Sequence, residues 1–287
     1  MLKLKKMSFM LPLIVIVILA LALTGCGGVG TTSNADNPLI ASAEAMANVD
    51  SYAADMVMDM TMASQGFTMD MDMTSDIKCI VKPSLLMSMD YTMTMPLFGD
   101  EPMQSSIYIE QTDTGLILYN NENGAWTKSE LPIENMEQYM NQNPADMIAL
   151  YQDNLVSSES LGEEAVNGQD CYKINVTISS EAFMALMNQM GNTDMLGMTE
   201  EELAANQELL AAGGDLTTTL WISKSDNMLL KQSMDLSQFM TNIINASAGE
   251  GQSVDEMTMT LSIEYHDYNA IDEIVIPAEA KNASAAS

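Results

Sequence analysis

Between Met56 and Met95 apolar and polar residues change places at nearly every step. Met56, Met58, Met60 and Met62 alternate with Val57, Asp59 and Thr61. After Ser64-Gln65-Gly66, Phe67, Met69, Met71 and Met73 alternate with Thr68, Asp70, Asp72 and Thr74. Leu85, Met87, Met89, Tyr91, Met93 and Met95 follow the same rule against Ser88, Asp90, Thr92 and Thr94. A strand sends successive side chains to opposite faces, so period two predicts three strands that turn a methionine stripe inward and their aspartates outward. Met257 to Tyr265 repeats the pattern and adds Met259 and Leu261.

Other segments carry helix and turn signals. Asn37-Pro38 reads as an N-cap and a proline at the first helical position, with Leu39, Ala43, Met46 and Val49 at helical spacing and Asp50-Ser51-Tyr52 ending the helix. Ser106–Gln111 and Leu116–Asn120 flank Thr112-Asp113-Thr114-Gly115, a hairpin with glycine supplying positive φ. Asn121-Glu122-Asn123-Gly124 turns again into Ala125–Lys128. Glu134–Leu155 reads as helix broken at Asn143-Pro144. Gln169–Ser179 reads as a strand with Tyr172, Ile174, Val176 and Ile178 inward.

Ser180–Met190 places Phe183, Met184, Leu186, Met187 and Met190 on one helical face, and Thr199-Glu200-Glu201-Glu202 opens a helix stopped by Gly213-Gly214. Leu216–Ser223 and Met228–Leu236 form a second hairpin around Lys224–Asn227. The fold class is α+β: a mostly antiparallel sheet with helices between blocks of strands, where they could form a cover.

The N-terminus points to export. Lys3, Lys5 and Lys6 precede an apolar run from Met7 to Leu23, which ends in Leu23-Thr24-Gly25-Cys26. This resembles the lipobox of bacterial lipoproteins. The resemblance implies that residues 1–25 are a signal peptide and that Cys26 becomes the acylated first residue, held at the outer face of the cell membrane. Two acyl chains meet the requirement for stable anchoring without a spanning helix. Residues 26–37 are small and polar, a flexible tether that reaches roughly 40 Å when stretched. Residues 38–287 are left for the folded domain.

Charge narrows the partners. Forty Asp and Glu stand against ten Lys, for a formal net charge of −30, and three of those lysines leave with the signal. Such a chain repels phosphate backbones and anionic head groups, which excludes nucleic acid and leaves membrane attachment to the acyl chains on Cys26.

Several segments resemble the LolA/LppX/LprG-like superfamily of lipoproteins and lipoprotein carriers. In the first half they are Val49-Asp50-Ser51-Tyr52 before the first strand, Tyr119-Asn120-Asn121, and Gly124-Ala125-Trp126-Thr127-Lys128. In the second half they are Val166-Asn167-Gly168-Gln169-Asp170-Cys171-Tyr172-Lys173-Ile174, Leu220-Trp221-Ile222-Ser223-Lys224 with Leu229-Leu230-Lys231, and Tyr268-Asn269 with Ile274-Val275-Ile276-Pro277. The resemblance implies a strongly curved antiparallel half-barrel, with helices covering the concave face, that holds acyl chains or another apolar ligand. It implies no catalytic residues and no cofactor. The 29 methionines exceed what the resemblance leads one to expect.

The methionine stripe has three readings. Thioethers can fill an ordinary core, line a cavity that re-packs around differently shaped lipids, or capture Cu(I) through Met-x-Met pairs. Burial at period two already accounts for the spacing, so no metal is assigned. The pocket candidates are Met56, Met58, Met60, Met69, Met71, Met73, Met87, Met89, Tyr91, Met93, Met259 and Leu261. Asp59, Asp70, Asp72 and Asp90 fall on the opposite, solvated face. His266 is the one histidine and shares the polar side of its strand with Glu264. Cys79 falls inward with Ile77 and Val81, whereas Cys171 lies opposite Tyr172 and Ile174, which favours two thiols over a disulfide. Neither a nucleophile elbow nor a phosphate loop appears, so the chain reads as a non-enzyme. Two functions remain: a tethered module for a lipid or other hydrophobic small molecule, or an envelope interaction protein with a solid core that acts on a protein partner.

Overall fold

The computed structural model describes residues 37–64, 67–122, 124–132, 155–181, 209–247 and 255–284. Cys26, the leader, the tether and most of the helices expected in 134–155, 180–190 and 199–213 lie outside the described residues.

Eleven strands form one open, curled antiparallel sheet. The first six are β1 (Ser51–Ser64), β2 (Phe67–Ile80), β3 (Leu86–Met95), β4 (Gly99–Thr112), β5 (Gly115–Glu122) and β6 (Ala125–Pro132). They run as a meander from the centre of the sheet to one edge. The remaining strands, β7 (Leu155–Val166), β8 (Gln169–Ile178), β9 (Leu216–Ser223), β10 (Leu229–Asp235) and β11 (Glu256–His266), return from the other edge. β1 and β11 pair at the middle from Ala53↔His266 to Ala63↔Glu256, so the first and last strands join the two halves of the sheet.

Turn chemistry sets the register. Val166 pairs with Gln169 across Asn167 and Gly168, both left-handed at φ 50° and 79°, a two-residue turn whose twist matches the flanking strands. The β4–β5 turn differs from expectation. Its two-residue loop is Asp113-Thr114, and Gly115 is already the first residue of β5, paired with Thr112 and outside the left-handed region. Thr112 Oγ1 accepts from Thr114 N (3.3 Å) and donates to Gly115 O (3.1 Å), so the turn is held without a special glycine.

Helix α1 (Pro38–Met46) starts as the sequence requires: Asn37 Oδ1 accepts the Leu39 amide at 3.0 Å and Pro38 fills the first turn. It ends earlier than expected. Ser51 and Tyr52 belong to β1, because the chain after β11 packs over them: Asn269 N donates to Ser51 O (2.7 Å) and Ile271 N to Ser51 Oγ (3.1 Å). Tyr52, Ala53 and Ala54 are therefore buried on both faces, which erases the alternation that marks the strand from Met56 onward.

Two further elements, β7 and a short helix, are not among those expected from the sequence. β7 is an edge strand with register shifts near Ser157 and Gly162 and an exposed Val156 and Leu161. Such bulges blunt a free edge against pairing with other chains. Helix α2 (Ser237–Ser247) lies against β11, where Leu236 N donates to Met259 O (2.8 Å) and Ser237 Oγ accepts the Met259 amide (2.9 Å). Residues 209–213 are helical and stop at Gly214, φ 87°, as the glycine pair predicts.

The main core lies on the inner face, where Leu39 and Ala43 of α1 and Phe239 and Met240 of α2 join the methionines of the strands. The outer face carries two smaller clusters. Val166, Cys171, Trp221 and Leu230 form one. Tyr119, Ile276 and Ala280 form the other, where the tail and α3 (Ala278–Lys281) cross β5 and β6.

Candidate ligand-facing surface

Cross-strand register decides which side chains meet, because directly opposed residues share a face about 5 Å apart. One row crosses six strands: Met103, Met93, Met73, Met58, Leu261 and Met234. Toward the β1–β2 turn the next rows are Met71, Met60 and Met259, then Met69, Met62 and Met257. In the other direction come Tyr91, Ser75, Met56, Ile263 and Gln232, then Met89, Ile77, Ala54 and Tyr265, then Met87, Cys79 and Tyr52.

Every pocket candidate therefore falls on one continuous face. Met56, Met58, Met60, Met69, Met71, Met73, Met87, Met89, Met93, Met259 and Leu261 are between 1% and 7% exposed, and Tyr91 is half-buried. Solvent scarcely reaches these methionine side chains. Unbranched thioethers make such a surface adaptable, since they change shape without losing apolar contact.

Two polar side chains interrupt it. Ser75 stands where alternation between Met73 and Ile77 calls for an apolar residue, and Gln232 faces inward from β10 with Met234. Both are buried, and among the described residues neither Ser75 Oγ nor Gln232 Nε2 has a hydrogen-bond partner. Sequence reasoning passed over them. A polar residue in an inward-parity position was the available signal for Ser75. For Gln232 the register shift between Leu229 and Lys231 obscures the parity.

Cys79 and Tyr52 sit at the end of this face. Burial pushes the Cys79 thiol up to about 11, and the Tyr52 phenol is raised well above its ordinary value, first by burial and then by Cys79. Both groups are neutral at physiological pH. Cys79 and Cys171 are free and lie in different clusters, one on each side of the sheet.

The outer face is charged and ordered along one row. Lys173, Trp221, Lys231, Glu264, Asp55, Asp76, Asp90 and Ser106 face one another across β8 to β4. The cations flank the indole, with Lys173 Nζ at 4.9 Å and Lys231 Nζ at 5.7 Å from the ring centre. They pair with Glu164 and Glu264, each at 2.7 Å. Lys231 holds the Glu264 carboxyl below its ordinary range, mainly by that hydrogen bond. His266 lies 3.5 Å from Asp55 and 3.0 Å from Asp267. Asp59, Asp70, Asp72 and Asp90 are all exposed, as expected. Among the described residues no group of three His, Cys, Asp or Glu is arranged to hold a metal ion. No described helix is long and apolar enough to cross a membrane.

An open antiparallel sheet with a thioether-lined inner face and a charged outer face is the class of protein this geometry defines. The chain belongs to DUF6612, a family of unknown function, over residues 35–285. No curated protein matches the sequence. Among solved structures it is similar to LprF from Mycobacterium bovis, with 13% identity and a TM-score of 0.41 over 85% of this chain and 95% of that one. It is also similar to the lipoprotein LppX from Mycobacterium tuberculosis, with 10% identity and a TM-score of 0.40 over 84% and 96%.

Proposed function

We propose that this protein is a membrane-tethered envelope lipoprotein that binds a lipid or comparably apolar small molecule against the inner face of its sheet. The observation that carries the reading is the convergence of methionines from β1, β2, β3 and β11 on one buried surface. A protein that needed only a solid core would be served by Leu, Ile and Val, whose branched side chains fix one packing. Thioethers re-pack around a guest. The resemblance to lipoprotein carriers stated from the sequence points the same way, as does the Leu23-Thr24-Gly25-Cys26 motif, which would hold the domain at a membrane through acylated Cys26.

A second reading is favoured by the low exposure of the same methionines, which fits a filled core and an interaction protein acting through its acidic exterior. Native mass spectrometry of the full-length chain, extracted from its membrane in mild detergent, separates the two. Co-purified lipid beyond the acyl groups on Cys26 is the expected result. Repeated recovery of a single mass equal to the acylated protein would leave the filled-core reading standing.

A further inference from the structure

We infer that the inner face recognises an oxygen-bearing lipid rather than a bare hydrocarbon, with Ser75 and Gln232 as its two polar anchors; this rests on the proposed binding function. Both residues belong to a single cross-strand row, Tyr91, Ser75, Met56, Ile263, Gln232 and Leu220. The residues between them, Met56 and Ile263, are 1% and 0% exposed. Ser75 and Gln232 are themselves 7% and 4% exposed, and among the described residues Ser75 Oγ and Gln232 Nε2 have no partner.

A polar group buried without a partner is a standing penalty that a folded protein ordinarily removes, either with an internal partner or by placing an apolar residue there. Alanine at position 75 and methionine at position 232 match these side chains closely in size and carry no such penalty. Two such groups in one row of a methionine-rich face are accounted for when a guest supplies the missing partners. Three strand spacings separate them, about 14 Å, so one guest meets them at two points along its length and lies across the strands over Met56 and Ile263. The serine hydroxyl donates or accepts. The glutamine amide offers an N–H or, after a half-turn, a carbonyl. Ester, hydroxyl and amide oxygens satisfy both sites, whereas a hydrocarbon satisfies neither.

The test uses the full-length protein in detergent with two probes, 1,2-dioleoylglycerol and the hydrocarbon squalene, in competition and read by native mass spectrometry. Wild type is expected to favour dioleoylglycerol. Ser75→Ala and Gln232→Met are each expected to reduce that preference about ten-fold, one hydrogen bond's worth. Because each substitution removes an orphaned polar atom, the ligand-free variants are expected to unfold at an equal or higher temperature than wild type. A merely structural role would lower it. Equal binding of the two probes by wild type overturns the anchor assignment and leaves the binding function intact. A preference unchanged in both variants, as buried water at these groups would give, also overturns it. Binding of neither probe overturns the proposed function itself.

Discussion

Truncating Met58 to alanine probes the physical basis of the inner face. Met58 is 1% exposed and lies between Met73 and Leu261 in the row that crosses six strands. Alanine removes Cγ, Sδ and Cε from a site enclosed on both sides by pleated backbone, which relaxes little to fill the space. Large-to-small changes at such positions cost about 2–5 kcal/mol. In a domain of roughly 150–250 residues each kcal/mol moves the thermal midpoint by about 2–4 °C, so a cost of about 3 kcal/mol lowers it by about 6–12 °C. The control is its neighbour. Val57 points to the outer face and is 42% exposed, so Val57→Ala is expected to stay within about 0.5 kcal/mol. Thermal unfolding followed by far-ultraviolet circular dichroism measures both. Equal shifts for the two variants, or a larger one for Val57→Ala, would refute the claim that alternation sorts these side chains into buried and solvated sets.

Other outcomes follow from single contacts. A Cβ on Gly213 would collide with the Phe239 ring, so Gly213→Ala is expected to displace that ring and destabilise the protein by about 1–3 kcal/mol; an unchanged urea midpoint would mean that α2 does not dock there. Glu264 is held below its ordinary 4.5 by Lys231, so its contribution is present above that value and disappears as pH falls through the lowered one. Glu264→Gln is therefore expected to lower stability near neutral pH and to flatten the decline below about 4.5, and parallel melting curves for variant and wild type from about pH 6 to about pH 3 would contradict the pairing. Burial raises the Cys79 thiol to about 11, so iodoacetamide at about pH 8 should leave it unmodified in the native state and label it after denaturation; rapid native labelling would show that end of the face to be open.

How much of this was legible in the sequence depended on whether one face of an element met water. The alternation in β2 and β11 is legible because Asp70, Asp72 and Thr258 stand in solvent between buried methionines. The opening of β1 was not legible, because the tail from Asn269 to Ile271 covers Ser51 to Ala54 from outside and both parities are buried. β7 lacks the signal for the opposite reason: as an edge strand it is exposed on both sides up to Val166. α2 did carry a signal, in Phe239, Met240, Ile243 and Ile244, but a helix that short between two strands reads equally well as a connection. The pocket candidates follow from strand period alone. Ser75 breaks the inward parity between Met73 and Ile77 and is legible there, whereas Gln232 and the row the two share are visible only through register.

The proposed binding function requires the methionine face to admit an apolar guest, and a photoreactive diazirine fatty acid reports that contact. Incubated with the full-length protein, irradiated and mapped by peptide mass spectrometry, the probe is expected to label inward positions such as Met58, Met73 and Met259 and to be displaced by unlabelled lipid. Labelling confined to the outer face around Asp55 and Asp76, or none above a denatured control, would contradict it.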